Sequence, residues 1–136
     1  MTSSRARRLL VFWFCAFFLL VLPWTDLQDH AHWYKVEWPP RVSSPRRVAD
    51  VVGNVVLFIP FGFLLATAWR PRRRGVWPLG LCAALLLSAA AEAAQLYSHT
   101  RIPSIADLAS NVTGAWMGVW LARRSGGQQT RGELPG

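Results

Sequence analysis

The sequence predicts an all-α protein, a four-helix transmembrane bundle with its N and C termini on the cytoplasmic side. Three observations predict it: four apolar stretches alternate with short charged ones, tryptophans flank the stretches, and most arginines collect in the connections on one side. A chain of 136 residues makes one domain at most. Its residues are 52% apolar, yet the formal net charge is +8, a mixture that a soluble core under a solvated surface does not readily produce. Nucleic-acid-binding domains carry such charge without these apolar runs, so no nucleic-acid partner is expected.

Spanning a bilayer takes about 20 helical residues at about 1.5 Å rise per residue. The first span covers about residues 8–25, around LLVFWFCAFFLLVLPW. Its basic lead resembles a secretory signal, but Pro23, Trp24, Thr25 and Asp26 stand where a small-residue cleavage site belongs. The second span, about 51–69, contains LFIPFGFLL. Pro60 there removes a helical hydrogen bond and predicts a kink, with Gly62 beside it, that would open a cavity. The third span is about 76–97 and the fourth about 105–122. The fourth is the least hydrophobic: Asp107, Ser110, Asn111 and Thr113 are costly against lipid and must look into the bundle or at water. Its Gly114 and Gly118 form a small-xxx-small pattern that lets another backbone approach closely, for packing within the bundle ahead of dimerisation. Residues 1–8 form a basic cytoplasmic N-terminus, and the polar, Gly-rich residues 123–136 predict a disordered cytoplasmic tail.

Arginine placement sets the orientation independently of hydropathy. Arg5, Arg7 and Arg8 precede the first span, Arg70, Arg72, Arg73 and Arg74 join the second to the third, and Arg123, Arg124 and Arg131 follow the fourth. These are ten of the fifteen basic residues. The opposite side holds Lys35, Arg41, Arg46, Arg47 and Arg101, diluted by Asp26, Asp29, Glu37, Asp50 and Asp107. The positive-inside rule then makes both termini cytoplasmic, and Trp24, Trp33, Trp38, Trp69 and Trp77 fall at span edges, where indoles favour the interface.

With that topology the polar residues inside the spans converge. Asp50 and Asn54 are four apart at the outer end of the second helix, Glu92 and Gln95 three apart near the outer end of the third, and Asp107 and Asn111 four apart at the mouth of the fourth. Residues three or four apart share a helix face. Asn54, Glu92 and Asn111 should therefore lie about 5 to 10 Å below the outer interface, in one layer. Asparagines in such places often only join helices. A carboxylate such as Glu92 must be neutral, paired or wetted. Arg101, in the short outer loop, is the natural cation to pair with Glu92 or Asp107.

The remaining chemistry-bearing residues point to structure. Cys15 and Cys82 lie far apart inside apolar runs, which gives neither a metal spacing nor a disulfide framework. His99, in an outer loop beside no second ligand, reads as incidental, so no metal and no cofactor is expected.

The order Asp50, Asn54, LFIPFGFLL, Glu92, Gln95, Arg101, Asp107, Asn111, Gly114 and Gly118 resembles the VanZ-like family of bacterial membrane proteins, over about residues 50–120. The early D-K…H element of that family is only echoed by Asp29, His30 and His32, and nothing is carried over to them. The family takes its name from a protein linked to low-level teicoplanin resistance. The resemblance implies a multi-pass protein of the bacterial cytoplasmic membrane with a cell-envelope role. Membrane lipid, a lipid-linked wall precursor or a lipoglycopeptide would be its partner. In that reading Asn54, Gln95 and Asn111 supply hydrogen bonds, Arg101 contacts an anion, and Glu92 and Asp107 are its counter-charges. The alternative is an intramembrane hydrolase or transferase with Glu92 as general base. Against it, the sequence carries no HExxH, no GxSxG and no Ser-Lys or Cys-His pair in the layer.

Overall fold

The computed structural model describes residues 1–22, 26–37, 45–69 and 76–129. Four helices account for most of them: α1 (Ser3–Val21), α2 (Pro45–Ala68), α3 (Val76–Gln95) and α4 (Ile105–Gln129), with one 3₁₀ turn at Trp33–Lys35. Among the described residues there is no strand, only isolated bridges joining Leu27 to Ser98 and Glu37 to Ser104. Trp24, Trp38, Arg41, Arg70, Arg72, Arg73, Arg74 and Arg131 lie outside the described residues.

Helix α1 buries Ala6, Leu10, Trp13 and Phe17, a stripe at three- and four-residue spacing, and turns its other faces outward. Trp13 anchors it. Its ring stacks on Phe17 with centroids 5.1 Å apart and meets Phe58 and Phe61 of α2 at 5.4 and 4.8 Å. Each such aromatic pair adds about 0.5–1.5 kcal/mol beyond its burial. The indole Nε1 donates to the Leu57 carbonyl at 3.0 Å, and the Ser3 hydroxyl donates to the Ala68 carbonyl at 2.7 Å. The second bond satisfies an orphan carbonyl at the end of α2. Together the two make α1 antiparallel to α2.

Helices α2 and α4 run parallel and approach backbone to backbone. A Cβ at Gly62 would run into the Ala115 carbonyl, one at Gly114 into the Val55 carbonyl, and one at Gly118 into the Ile59 carbonyl. Only hydrogen in place of a side chain admits this approach. Helix α3 lies antiparallel to α4: a Cβ at Gly80 would come within 3.2 Å of Val119 Cγ2 at one end, and Ser88 bonds to Asn111 further along.

The bundle therefore has two ends. The start of α1, the end of α2, the start of α3 and the end of α4 share one, with Arg5, Arg7, Arg8, Arg123 and Arg124; we call it the arginine end. The other is closed by a cap in which residues 26–37 lie over residues 96–104. Gln28 N–H donates to the Tyr97 carbonyl at 2.7 Å, His32 N–H to Leu96 at 2.8 Å and Glu37 N–H to Pro103 at 3.1 Å. Asp26 pins the cap by accepting from the Ser98 hydroxyl (2.7 Å), the Thr100 N–H (2.8 Å) and the Thr100 hydroxyl (2.9 Å). These bonds hold its carboxyl well below the usual carboxylate range.

The outward faces are apolar. Phe12 is 72% exposed, Leu19 70% and Leu86 71%, surface that water would penalise and lipid would not. Helix α2 and the Pro78–Gln95 part of α3 are long and apolar enough to cross a membrane. Helix α1 carries three arginines in its first turns and α4 carries Asp107, Arg123 and Arg124.

Boundaries differ from the sequence expectation in two informative places. Helix α2 starts at Pro45, not near residue 51, because proline at the first helical position gives up a donor the helix does not use there. Helix α4 runs to Gln129, into the stretch expected to be a disordered tail from residue 123. Arg123 and Arg124 are good helix formers, and the Arg124 guanidinium sits 3.9 Å over the Trp120 ring. Residues 130–136 lie outside the described residues. Helix α2 is continuous through Pro60, which is exposed and faces the groove between α1 and α2. The cavity described next is lined by other residues.

Candidate functional site

Between the cap and the bundle lies a cavity of about 590 Å³. Asp50 and Asn54 enter it from α2, Glu92 and Gln95 from α3, Asp107 and Asn111 from α4, and Arg101 from the α3–α4 connection. All seven polar-layer residues read from the sequence thus line one space. Helix pitch explains the convergence. Each pair sits one turn apart on one face, and the alternation of helix direction brings the three pairs to the same end. Phe17, Leu20 and Val21 of α1, with Leu57 and Phe58 of α2, form an apolar wall of the same cavity.

Glu92 and Asp107 serve the start of α4. Ser104 precedes the helix, and its side-chain oxygen accepts the Ala106 N–H at 3.2 Å, an N-cap. Its own N–H donates to Glu92 Oε2 at 2.8 Å, so a carboxylate from α3 sits at the positive end of α4. Asp107, in the first turn, is hydrogen-bonded by the Asn54 side chain, which ties α2 to α4 at the mouth of the cavity. Asn111 is buried and donates from Nδ2 to the Ser88 hydroxyl at 2.7 Å. Its Oδ1 is buried without a donor among the described residues, which is costly unless something else supplies one.

The cations are placed differently from the sequence expectation. Arg101 lines the cavity and is exposed, but among the described residues it pairs with neither Glu92 nor Asp107. The connection carrying it is held by the cap, and Glu92 is already committed to Ser104. Arg46 and Arg47 also line the cavity, as does Thr100, and the polar layer read from the sequence did not include them. Arg47 forms an ion pair with Glu37 of the cap. The signal was available: once α2 starts at Pro45, Arg46, Asp50 and Asn54 recur every four residues on one face.

No serine, cysteine or histidine is among the described residues lining the cavity. Cys15 and Cys82 are exposed on the outer faces of α1 and α3. His99 belongs to the cap, its ring 4.5 Å from that of buried His32. His32 Nδ1 donates to the Leu96 carbonyl at 3.1 Å. Among the described residues no three potential ligands are placed to hold a metal ion. The cavity presents three guanidinium groups, three carboxylates, three carboxamides and an apolar wall.

Comparison with known proteins adds one finding. The sequence model of the VanZ/LLP1 family matches residues 4–125, nearly the whole chain. No curated protein and no solved structure matches.

Proposed function

The chain belongs to the VanZ/LLP1 family, and we propose that it is a four-span protein of the bacterial cytoplasmic membrane whose cavity binds a lipid-linked or lipoglycopeptide ligand at the outer leaflet. In this reading both termini are cytoplasmic, the cap faces outward, and the protein contributes to glycopeptide resistance. The observation that carries it is the convergence of seven scattered polar residues on one cavity beside an apolar wall, the lining an amphiphile needs. Support for the orientation comes from Arg5, Arg7, Arg8, Arg123 and Arg124 at one end, opposite the cap. The exposed apolar faces of α1 and α3 supply the lipid contact. Arg46 and Arg101 are the anion contacts, and Asn54, Gln95 and Asn111 the hydrogen-bonding groups. Glu92 and Asp107 shape the mouth.

Teicoplanin susceptibility tests this. A permissive Gram-positive host makes either the wild-type chain or the Asn54→Ala, Glu92→Ala, Asp107→Ala, Asn111→Ala quadruple variant at matched membrane levels. Protection by the wild type alone is the expected result. Protection by neither removes resistance as the role, and equal protection by both removes the cavity from it.

A further inference from the structure

The charges of the cavity decide what kind of headgroup it fits. Arg46, Arg47 and Arg101 share the lining with Asp50, Glu92 and Asp107, and Arg47 is already neutralised by Glu37. The two remaining cations belong to the α2 start and the loop, at the rim. Toward the bundle, the α3 and α4 walls present acceptors: the Glu92 and Asp107 carboxylates and Asn111, 5% exposed, whose Oδ1 lacks a donor among the described residues. An anion alone would satisfy Arg46 and Arg101 and leave the acceptor wall repelling it. A cation alone would do the reverse. Toward buried Asn111 each mismatch is costly, because charges away from water interact several-fold more strongly than in bulk solvent.

We infer that the cavity takes a zwitterionic amphiphile, with an anionic phosphate on Arg46 and Arg101 and a primary ammonium on the Asp107–Asn111 wall. Its acyl chain lies along Phe17, Leu20 and Val21. The ammonium has three donors. Asn111 Oδ1 accepts one of them, and Asp107 and the Glu92 oxygen that Ser104 leaves free take the others. An aminophospholipid headgroup carries both charges and the chain; a soluble phosphoethanolamine carries the charges alone. This inference rests on the cavity being a lipid-binding site and specifies the headgroup.

The test uses the full chain in detergent and calorimetric titration with four probes: dihexanoyl phosphatidylethanolamine, its N-acetylated form, dihexanoyl phosphatidylglycerol, and glycerophosphoethanolamine. Wild-type protein should bind the free amine at least tenfold more tightly than the N-acetylated lipid or the phosphatidylglycerol. It should also bind it more tightly than the chainless glycerophosphoethanolamine. In Asp107→Asn the ratio between free and capped amine should collapse toward one, whereas Arg101→Ala should weaken both alike. Equal binding of free and capped amine by the wild type overturns the inference and leaves lipid binding standing. Equal binding of the chainless probe overturns the lipid source, and no binding of any probe overturns the lipid-site reading together with the inference. The wild-type comparison needs no variant to fold.

Discussion

Helices α2 and α4 are neighbours along much of their length and behave oppositely at their two ends. From Val55 and Gly114 toward the arginine end they touch backbone to backbone through Gly62, Gly114 and Gly118. Toward the cap the same pair separates around a cavity. There Asn54 reaches Asp107, and Gly53 has open space where its Cβ would be, with nothing within 4 Å. What differs is the content of one helix face. Glycine and alanine let the backbones close, whereas Asp50, Asn54, Asp107 and Asn111 must keep partners or water. The dry half packs the bundle and the wet half encloses its cavity.

The largest effect should come from reversing this assignment in the dry half. Gly62→Val should cost about 3 kcal/mol or more, because the intruding side chain meets backbone that cannot move aside. Gly53→Ala, in the wet half, should instead gain up to about 1 kcal/mol by improving helix propensity. Thermal unfolding in detergent measures both, and equal sensitivity of the two glycines would break the comparison. Trp13→Ala, which empties the aromatic cluster, should cost about 3–5 kcal/mol. Trp13→Phe should cost about 1 kcal/mol, for the lost bond to Leu57.

The wet half yields smaller numbers. Glu92→Ala leaves the Ser104 N–H unsatisfied at about 1–3 kcal/mol, and Glu92→Gln, which keeps an acceptor, should cost less. Hydrogen exchange at the first turn of α4 separates them: faster exchange in the alanine variant only.

The cap adds a pH dependence. Asp26's carboxyl is held below its ordinary value of 3.8, so its contribution is complete above that value and is lost as pH falls below it through the folded pKa. Proteolysis of the cap should therefore be unchanged from neutral pH down to about 5 and rise in stronger acid. Asp26→Asn should flatten that rise.

Much of this was legible in the sequence. The four helices follow from apolar runs and arginine placement, and the polar layer follows from spacings of three and four residues within helices of alternating direction. A close backbone approach was readable from GAWMG, but that spacing serves a dimer as well as a bundle, and only the structure pairs it with α2. Other features were hidden for definite reasons. Hydropathy starts the second helix at Val51, so Arg46 and Arg47 looked like loop charges, whereas Pro45 starts it a turn and a half earlier. Arg101 looked like the partner of Glu92 because both are near the outer end. The partner Glu92 takes is a backbone N–H, which no residue pattern advertises. The cap was unreadable because its order comes from bonds between residues far apart in sequence, such as the His32 N–H to the Leu96 carbonyl and Asp26 to Ser98 and Thr100, and these have no period.

Cysteine accessibility tests the central claim, that the cavity opens on the outer side of a membrane whose inner side holds the arginine end. In a Cys15→Ser, Cys82→Ser background, single cysteines replace Asp50, Asn54 or Arg5, and intact cells are treated with a membrane-impermeant maleimide. Positions 50 and 54 should be labelled in intact cells and position 5 only after permeabilisation. Labelling at position 5 in intact cells, with 50 and 54 protected, would contradict it.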